Sequence, residues 1–315
     1  MTEPGSRVQL GYLLPTREQV MAGQHDAASL LALAVQAAAI GVDSLWVGDS
    51  LIARPRHDPL TLLAGLATRI PRVQLGTAVL LPALRNPVLL AQQLATIDQL
   101  SEGRLVVGAG IAADAPSIRA EFAAAGVPFE KRVGRLLEGF RLCRALWQGE
   151  PVNWDGRWSL QDASLAPVPH RPGGPPIWLA ASVPAGIRRA AKHFDGWFPI
   201  GPDADAIARG TAQLAQDAAE LGRGTPTVAV YLTLCIDDDA ARAQATLDAY
   251  LTEYYALPAQ ILRSVQACYG GSLEGALDWL RAFVAAGAQH LVLRIVGDAP
   301  PVLESLIANR AALNA

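Results

Sequence analysis

The sequence predicts a (β/α)8 barrel, and three observations carry that prediction. Short apolar runs alternate with helical stretches along the chain, in the order strand, loop, helix. Most of those runs are continuously apolar rather than alternating, as parallel strands covered on both faces must be. Two distant segments also share one syntax: Ala39-Ile40-Gly41-Val42-Asp43-Ser44-Leu45 and Ala285-Ala286-Gly287-Ala288-Gln289-His290-Leu291 both read helix end, glycine cap, polar pair, strand start. At 315 residues the chain suits one α/β barrel spanning 1–315, since that fold uses ~250 residues or more as one domain.

The elements follow in order. Val8 to Leu14 forms the first strand and stops at Pro15; a helix then runs from an Asp26 N-cap to Gly41 just past its end. Ser44-Leu45-Trp46-Val47 is the second strand, closed by Gly48-Asp49. Asp58-Pro59 opens the next helix, with proline in the first turn where its missing N–H costs nothing. Val73 to Leu81 is the third strand, Asn86-Pro87 opens its helix by the same grammar, and Leu105-Val106-Val107 is the fourth strand. Glu121 to Trp147 reads as strongly helical, with apolar side chains at three- and four-residue spacing. Glu150 to Gly174 is rich in Pro, Gly, Trp and Asp, which marks a hairpin or irregular insertion of about 148–174 after strand four. Strands resume at Ile177 to Ala180, Gly196 to Pro199, Thr227 to Ile236 and His290 to Val296, with helices expected at Ala240 to Tyr255 and Ser272 to Ala286. The total is eight strands.

A doubly wound sheet is the rival fold. Gly108-Ala109-Gly110-Ile111-Ala112-Ala113 matches the G-x-G-x-x-A dinucleotide fingerprint after a strand. Three βα units precede it, however, and no strand ending in an acidic residue follows about 20 residues later, as that fingerprint requires.

Composition excludes several functions. A net charge of −3 without basic runs leaves no electrostatic footprint for nucleic acid. Met1-Thr2-Glu3-Pro4-Gly5 has neither the basic flank nor the apolar run of a signal peptide. The apolar stretch Ala27 to Val42 is shorter than the ~20 residues a membrane span needs. Cys143, Cys235 and Cys268 are far apart and odd in number, which suits a reduced compartment. The expectation is a cytoplasmic protein without nucleic-acid or membrane partners. The five histidines, His25, His57, His170, His193 and His290, show no H-x-H or H-E-x-x-H spacing, so no metal is expected.

Several linked motifs resemble the bacterial-luciferase-like oxidoreductases. They are Gly41 to Asp49; Leu75-Gly76-Thr77-Ala78-Val79-Leu80-Leu81-Pro82 followed by Arg85-Asn86-Pro87; Gln92 to Asp98; Ser101-Glu102-Gly103-Arg104; Glu130-Lys131-Arg132 leading to Leu146-Trp147; and Pro176 to Ala180 through Asp195-Gly196-Trp197. The likeness is strongest from Ala27 to Trp197. It implies a barrel that binds reduced FMN, or in some branches coenzyme F420, at the carboxyl-terminal mouth. The flavin branch oxygenates a small organic substrate with dioxygen, using FMN delivered by a separate flavin reductase; the deazaflavin branch transfers hydride. The resemblance further implies a homodimer.

It also assigns residues. A non-proline cis peptide at the Thr77-Ala78-Val79 bulge would support the ring; otherwise this is an ordinary buried strand end. Ala181-Ser182, opening a helix, would bind the cofactor phosphate with free N–H groups and a hydroxyl, unless Ser182 is only the N-cap. Arg132 matches a position at the phosphate end, against a solvated helix residue. Gly108 and Gly110 would wall the ring through backbone. Arg294 interrupts an apolar strand near its end, so its guanidinium points into the mouth or pairs with a carboxylate such as Asp298.

Catalytic residues are less legible. Many relatives carry Asp-His where this chain has Asp49-Ser50, and serine is no acid or base near pH 7. Asp49 is either a ligand-side carboxylate or a cap of the next loop. His57 is the histidine best placed for chemistry, with surface capping as its alternative. Trp46, Trp178 and Trp197 divide between core and mouth. The insertion from Trp147 to Gly174 and the loops after Ala109 and Ile236 are expected to form a lid over the site. The resulting reading is a reduced-flavin-dependent oxidoreductase of monooxygenase type. An F420-dependent hydride-transfer enzyme and a non-catalytic flavin-binding relative are the alternatives.

Overall fold

The computed structural model describes residues 7–314; the amino-terminal segment weighed against a signal peptide lies outside the described residues. Eleven strands occur among them: β1 (Gln9–Leu13), β2 (Ser44–Val47), β3 (Gln74–Thr77), β4 (Leu105–Ala109), β5 (Val152–Asp155), β6 (Ser159–Ala163), β7 (Ile177–Leu179), β8 (Gly196–Trp197), β9 (Thr227–Ile236), β10 (Cys268–Gly271) and β11 (His290–Ile295). Eight of them pair in parallel as β1-β2-β3-β4-β7-β8-β9-β11, and β11 returns to β1. The sheet therefore closes into a (β/α)8 barrel, which overturns the doubly wound alternative. The eight expected strands are these eight. β10 is an addition, pairing with the carboxyl-terminal half of β9 outside the ring.

Local grammar sets most helix starts. Asp26, Asp58 and Asn86 each accept backbone N–H bonds in the first turn, and Pro59 and Pro87 occupy the first helical position. Gly41 ends the helix Ala27–Ile40 at φ 108°, a left-handed conformation that glycine takes without steric cost. The expected helix from Glu121 to Trp147 is in fact two, Pro116–Ala124 and Arg132–Leu146. Between them the chain turns through Gly126, and Pro128 has no N–H with which to continue the first helix.

Apolar side chains fill two layers. The larger lies between strands and helices. Inside the barrel sit Leu13, Trp46, Val106, Trp178, Phe198, Ala229, Tyr231 and Val292. Trp46 stands 5.4 Å from Trp178 and 5.3 Å from Phe198, centroid to centroid, so both tryptophans fill the barrel rather than box a ligand. Trp197 faces outward and donates its indole N–H to the Ala181 carbonyl at 2.8 Å.

The insertion forms the antiparallel hairpin β5–β6. Glu138 of the helix Arg132–Leu146 accepts from the Arg157 backbone N–H at 2.6 Å and pairs with the Arg157 guanidinium. Beyond the hairpin, Arg171 N–H bonds Asp98 at 2.8 Å and its guanidinium bonds the Gly103 carbonyl at 2.6 Å, at the entry to β4. The insertion is thus tied to the helical layer and to the amino-terminal side of the strands.

Candidate active site

A cavity of about 440 Å³ opens where the barrel strands end. Each strand end contributes through the residues just beyond it: Asp49 and Ser50 after β2, Ala78 and Val79 after β3, Gly110 and Ile111 after β4, and Ala180 to Ser182 after β7. Phe198 and Ile200 follow β8; Tyr231 and Arg294 lie within β9 and β11. The insertion lines no part of it, and neither does the loop directly after Ile236. Of the expected lid, only the segment after Ala109 borders the cavity; the insertion is occupied in bracing the helix that carries Glu138.

The Ala78–Val79 peptide is cis, as the resemblance implies. Both residues line the cavity, together with Gly110, Ala180 and Ala181. The result is one wall of small apolar groups with room for a planar ring. Thr77 and Gly108 stand behind that wall. Thr77 Oγ1 donates to the Gly108 carbonyl at 2.7 Å, and a Cβ on Gly108 would collide with the Thr77 carbonyl oxygen. These two residues hold β3 against β4.

Ser182 lines the cavity but does not cap the following helix. The N-cap of Pro184–His193 is Val183, and no side chain bonds the first-turn N–H groups. Pro184 has no N–H and Gly186 N–H bonds the Val183 carbonyl at 2.8 Å, so Ala185 N–H is the first-turn donor left for an anion. Arg132 is elsewhere: its guanidinium stacks 3.7 Å from the Phe129 centroid and bonds the Ala112 and Phe129 carbonyls. His57 is also outside the lining, its Nε2 buried without a hydrogen-bond partner.

Asp49 lines the cavity and is also tied into the scaffold. It pairs with Arg85 at 2.5 Å and accepts from Leu81 N–H at 2.8 Å, which ties the end of β2 to the turn after β3. Ser50 Oγ donates to Glu121 Oε1 at 2.6 Å. That same oxygen accepts from the N–H groups of Leu51, Ile52 and Ala53. Glu121, fully buried on the helix Pro116–Ala124, thereby gathers the whole loop after β2.

That loop brings Arg54 and Arg56 into the cavity lining. Neither has a carboxylate partner among the described residues. Arg56 reaches inward because Gly48 has no side chain, and a Cβ there would strike the guanidinium. Arg294 also lines the cavity, but its carboxylate partner is Glu18, at 2.5 Å, rather than Asp298. Its Nε is buried without a hydrogen-bond partner. Tyr250, Tyr254, Tyr255 and Tyr231 surround this guanidinium. Glu18 and the four tyrosines were missed in the sequence. They come from the short helix Thr16–Met21, from the end of the helix Ala240–Tyr255 and from β9, and only barrel closure brings them together.

Among the described residues no cluster of histidine, cysteine and carboxylate side chains could hold a metal ion, and no helix is long and apolar enough to cross a membrane.

A family model described as luciferase-like monooxygenase matches residues 8–313. The chain is similar to the F420-dependent glucose-6-phosphate dehydrogenase of Rhodococcus erythropolis, with 28% identity over 92% of each chain. The enzyme of the same description from Mycobacterium avium is 35% identical over 61% of this chain and 57% of its own. Among solved structures, an F420-dependent secondary alcohol dehydrogenase in complex with an F420–acetone adduct superposes with a TM-score of 0.83 at 18% identity, covering 98% of this chain and 99% of that one. The oxygenating constituent of the 3,6-diketocamphane monooxygenase of Pseudomonas putida, in complex with FMN, gives 0.76 at 18% identity, covering 97% and 98%. At these identities the two structures speak for the fold.

Proposed function

The chain belongs to the luciferase-like monooxygenase family, and within it we propose that this protein is an F420-dependent oxidoreductase exchanging hydride with a hydroxyl- or carbonyl-bearing substrate. The observation that carries this reading is the mouth cavity itself, which small apolar residues and two guanidiniums without carboxylate partners line together. Such a site fits a planar ring with an anionic tail. The similarity to curated F420-dependent dehydrogenases, one of them over nearly its full length, favours deazaflavin over flavin.

In this reading Ala78, Val79, Gly110, Ala180 and Ala181 seat the ring, and the uncapped helix start with Ser182 takes a phosphate. Arg54 and Arg56 add positive charge, which strengthens anion binding wherever water is excluded. Bound F420 supplies two-electron hydride chemistry; the protein supplies orientation, dryness and proton handling. Thr77, Gly108 and Asp49 act one step back, by fixing the strand ends.

A second reading, the reduced-FMN monooxygenase with dioxygen as co-substrate and a separate reductase, has one observation in its favour. Ser50 stands where many relatives carry an imidazole, and its hydroxyl is committed to Glu121. Oxygen transfer at the flavin asks less of such a group than hydride exchange with an alcohol does. Anaerobic titration with F420 and with reduced FMN, followed by admission of oxygen, separates the two. Preferential F420 binding without a long-lived peroxide absorbance is expected; tight reduced-FMN binding with that absorbance would overturn the proposal. The homodimer that the family resemblance implies belongs to either mode and is read by sedimentation.

A further inference from the structure

Exchange of hydride with an alcohol needs a group that takes or gives the hydroxyl proton. Ser50, whose hydroxyl is committed to Glu121, does not do this. The mouth cavity is also lined by Arg56, Arg294, Tyr231 and Tyr255, with Tyr254 among them.

We propose that Tyr254 is the proton-transferring residue of this site, acting where many relatives use an imidazole. The inference rests on the hydride-transfer reading above. In the oxidative direction the substrate O–H bond breaks as the proton passes to the Tyr254 phenolate. The carbinol C–H pair leaves as hydride to the oxidised deazaflavin. The substrate loses two electrons, the cofactor gains them, and the reverse reaction returns the proton from the phenol.

Position supports the assignment first. Tyr254 is 2% exposed, yet it lines the mouth cavity and also a second cavity of about 200 Å³ formed with Glu18, Met21, Ala22, Tyr250 and Glu253. One side chain thus separates the substrate space from a cleft that holds two carboxylates. Tyr250 Oη donates to Glu18 Oε1 at 2.6 Å, and the Glu18 side chain is 26% exposed, so the outer cleft connects to water.

The surroundings support it second. Arg56 Nη2 donates to Tyr254 Oη at 3.3 Å. Arg294 Cζ lies 4.2 Å from the ring centroid, and Arg17 Cζ 4.4 Å on the helix Thr16–Met21. Tyr250 stacks at 5.3 Å and Tyr255 meets the ring edge at 4.8 Å. Glu18 is the carboxylate facing this group, and Arg294 neutralises it. Burial would raise the phenol's pKa, but the charges of Arg294 and then Arg56 outweigh burial and bring it below the ordinary tyrosine value. Tyr12, Tyr231, Tyr250 and Tyr255, buried nearby, all shift upward, with burial the largest cause. The neighbouring guanidiniums thus favour the phenolate of Tyr254.

The test uses Tyr254→Phe in two measurements. Ultraviolet difference titration of the protein without cofactor should show one phenolate forming ahead of the others, absent in the variant and delayed in Arg56→Gln. Turnover of F420 against a panel of small alcohols should then fall about 100-fold or more in Tyr254→Phe, with loss of the pH-profile limb seen in wild type and F420 affinity within about threefold of it. No early phenolate, or an early phenolate with full activity and an unchanged pH profile in Tyr254→Phe, overturns the assignment while the F420 reading stands. A wild-type protein that neither binds nor reduces F420 brings down both.

Discussion

Asp49 shows how a residue can be located in the sequence without its role being legible. Its place at the end of the second strand marked it as part of the mouth, and it lies there. Its partners, Arg85 and the Leu81 N–H, sit 36 and 32 residues away, and nothing in the local pattern announces them. Removing Asp49 leaves the largely buried Arg85 with Asp58 as its one carboxylate partner, at 3.2 Å. Asp49→Ala is therefore expected to cost about 2–3 kcal/mol in urea unfolding, less than the ~3–5 kcal/mol of a fully broken buried pair, because Arg85 keeps 15% side-chain exposure and its bond to Asp58. An unchanged midpoint would mean that the carboxylate serves only a ligand. Gly108 is a parallel case. The family resemblance implied backbone contact with a cofactor ring, and the structure adds a steric reason for glycine, because the Thr77 carbonyl occupies the space a Cβ would need. Gly108→Ala should destabilise by about 1–3 kcal/mol, the usual cost of overpacking a closed site, measured by thermal or urea unfolding without cofactor.

Among the elements, capped helices were readable and tertiary bracing was not. Asp26, Asp58, Asn86 and Gly41 mark their boundaries by short-range hydrogen bonding and backbone conformation, which sequence reports directly. The break at Gly126 to Pro128 was hidden by apolar spacing that continued through it, and the aromatic insertion looked like a lid because aromatic side chains also cover sites. Its hairpin bonds the helix Arg132–Leu146, and Arg171 beyond the hairpin bonds Asp98 and Gly103. Glu138→Ala should then lower stability by about 1–3 kcal/mol, since it strips a buried acceptor from the Arg157 N–H and guanidinium. Cofactor affinity should stay within about twofold; a larger loss would restore the insertion to the site. The loop after β2 behaves in the opposite way. Glu121 holds it through Ser50 Oγ and three N–H groups, so Glu121→Ala should free the segment that carries Arg54 and Arg56. Faster tryptic cleavage after Arg56, together with weaker F420 binding, is the expected pair of results. Unchanged cleavage would show that other contacts fix the loop.

For the molecule as a whole, barrel closure was legible because eight doubly covered parallel strands leave a continuous apolar signature, while the polar constellation that closure assembles was not. Glu18, Tyr231, Tyr254 and Arg294 are spread from the first helix to the last strand, and their meeting is a property of the closed ring alone. The same holds deeper in the barrel. His290 begins β11, buried against Trp46 and Trp178 at 5.5 and 5.4 Å between centroids. Trp46 Nε1 donates to Ser44 Oγ at 2.6 Å, and the same oxygen shares a 2.6 Å hydrogen bond with His290 Nε2. Buried among these aromatic rings, the imidazole is neutral. Burial pushes its pKa down to about 3 from an ordinary 6.5. Between those values the unfolded chain takes up a proton that the folded barrel refuses, so the unfolded state binds more protons and stability falls as pH falls. The slope from this one residue is about 1.4 kcal/mol per pH unit below 6.5, ending near pH 3 where the folded ring also protonates. Urea unfolding of wild type and His290→Gln from pH 7 to pH 4 should give curves that converge on acidification, the variant losing less stability with each unit. Parallel curves would mean that the folded histidine accepts its proton at an ordinary pH, and that the barrel core is wetter than its packing implies.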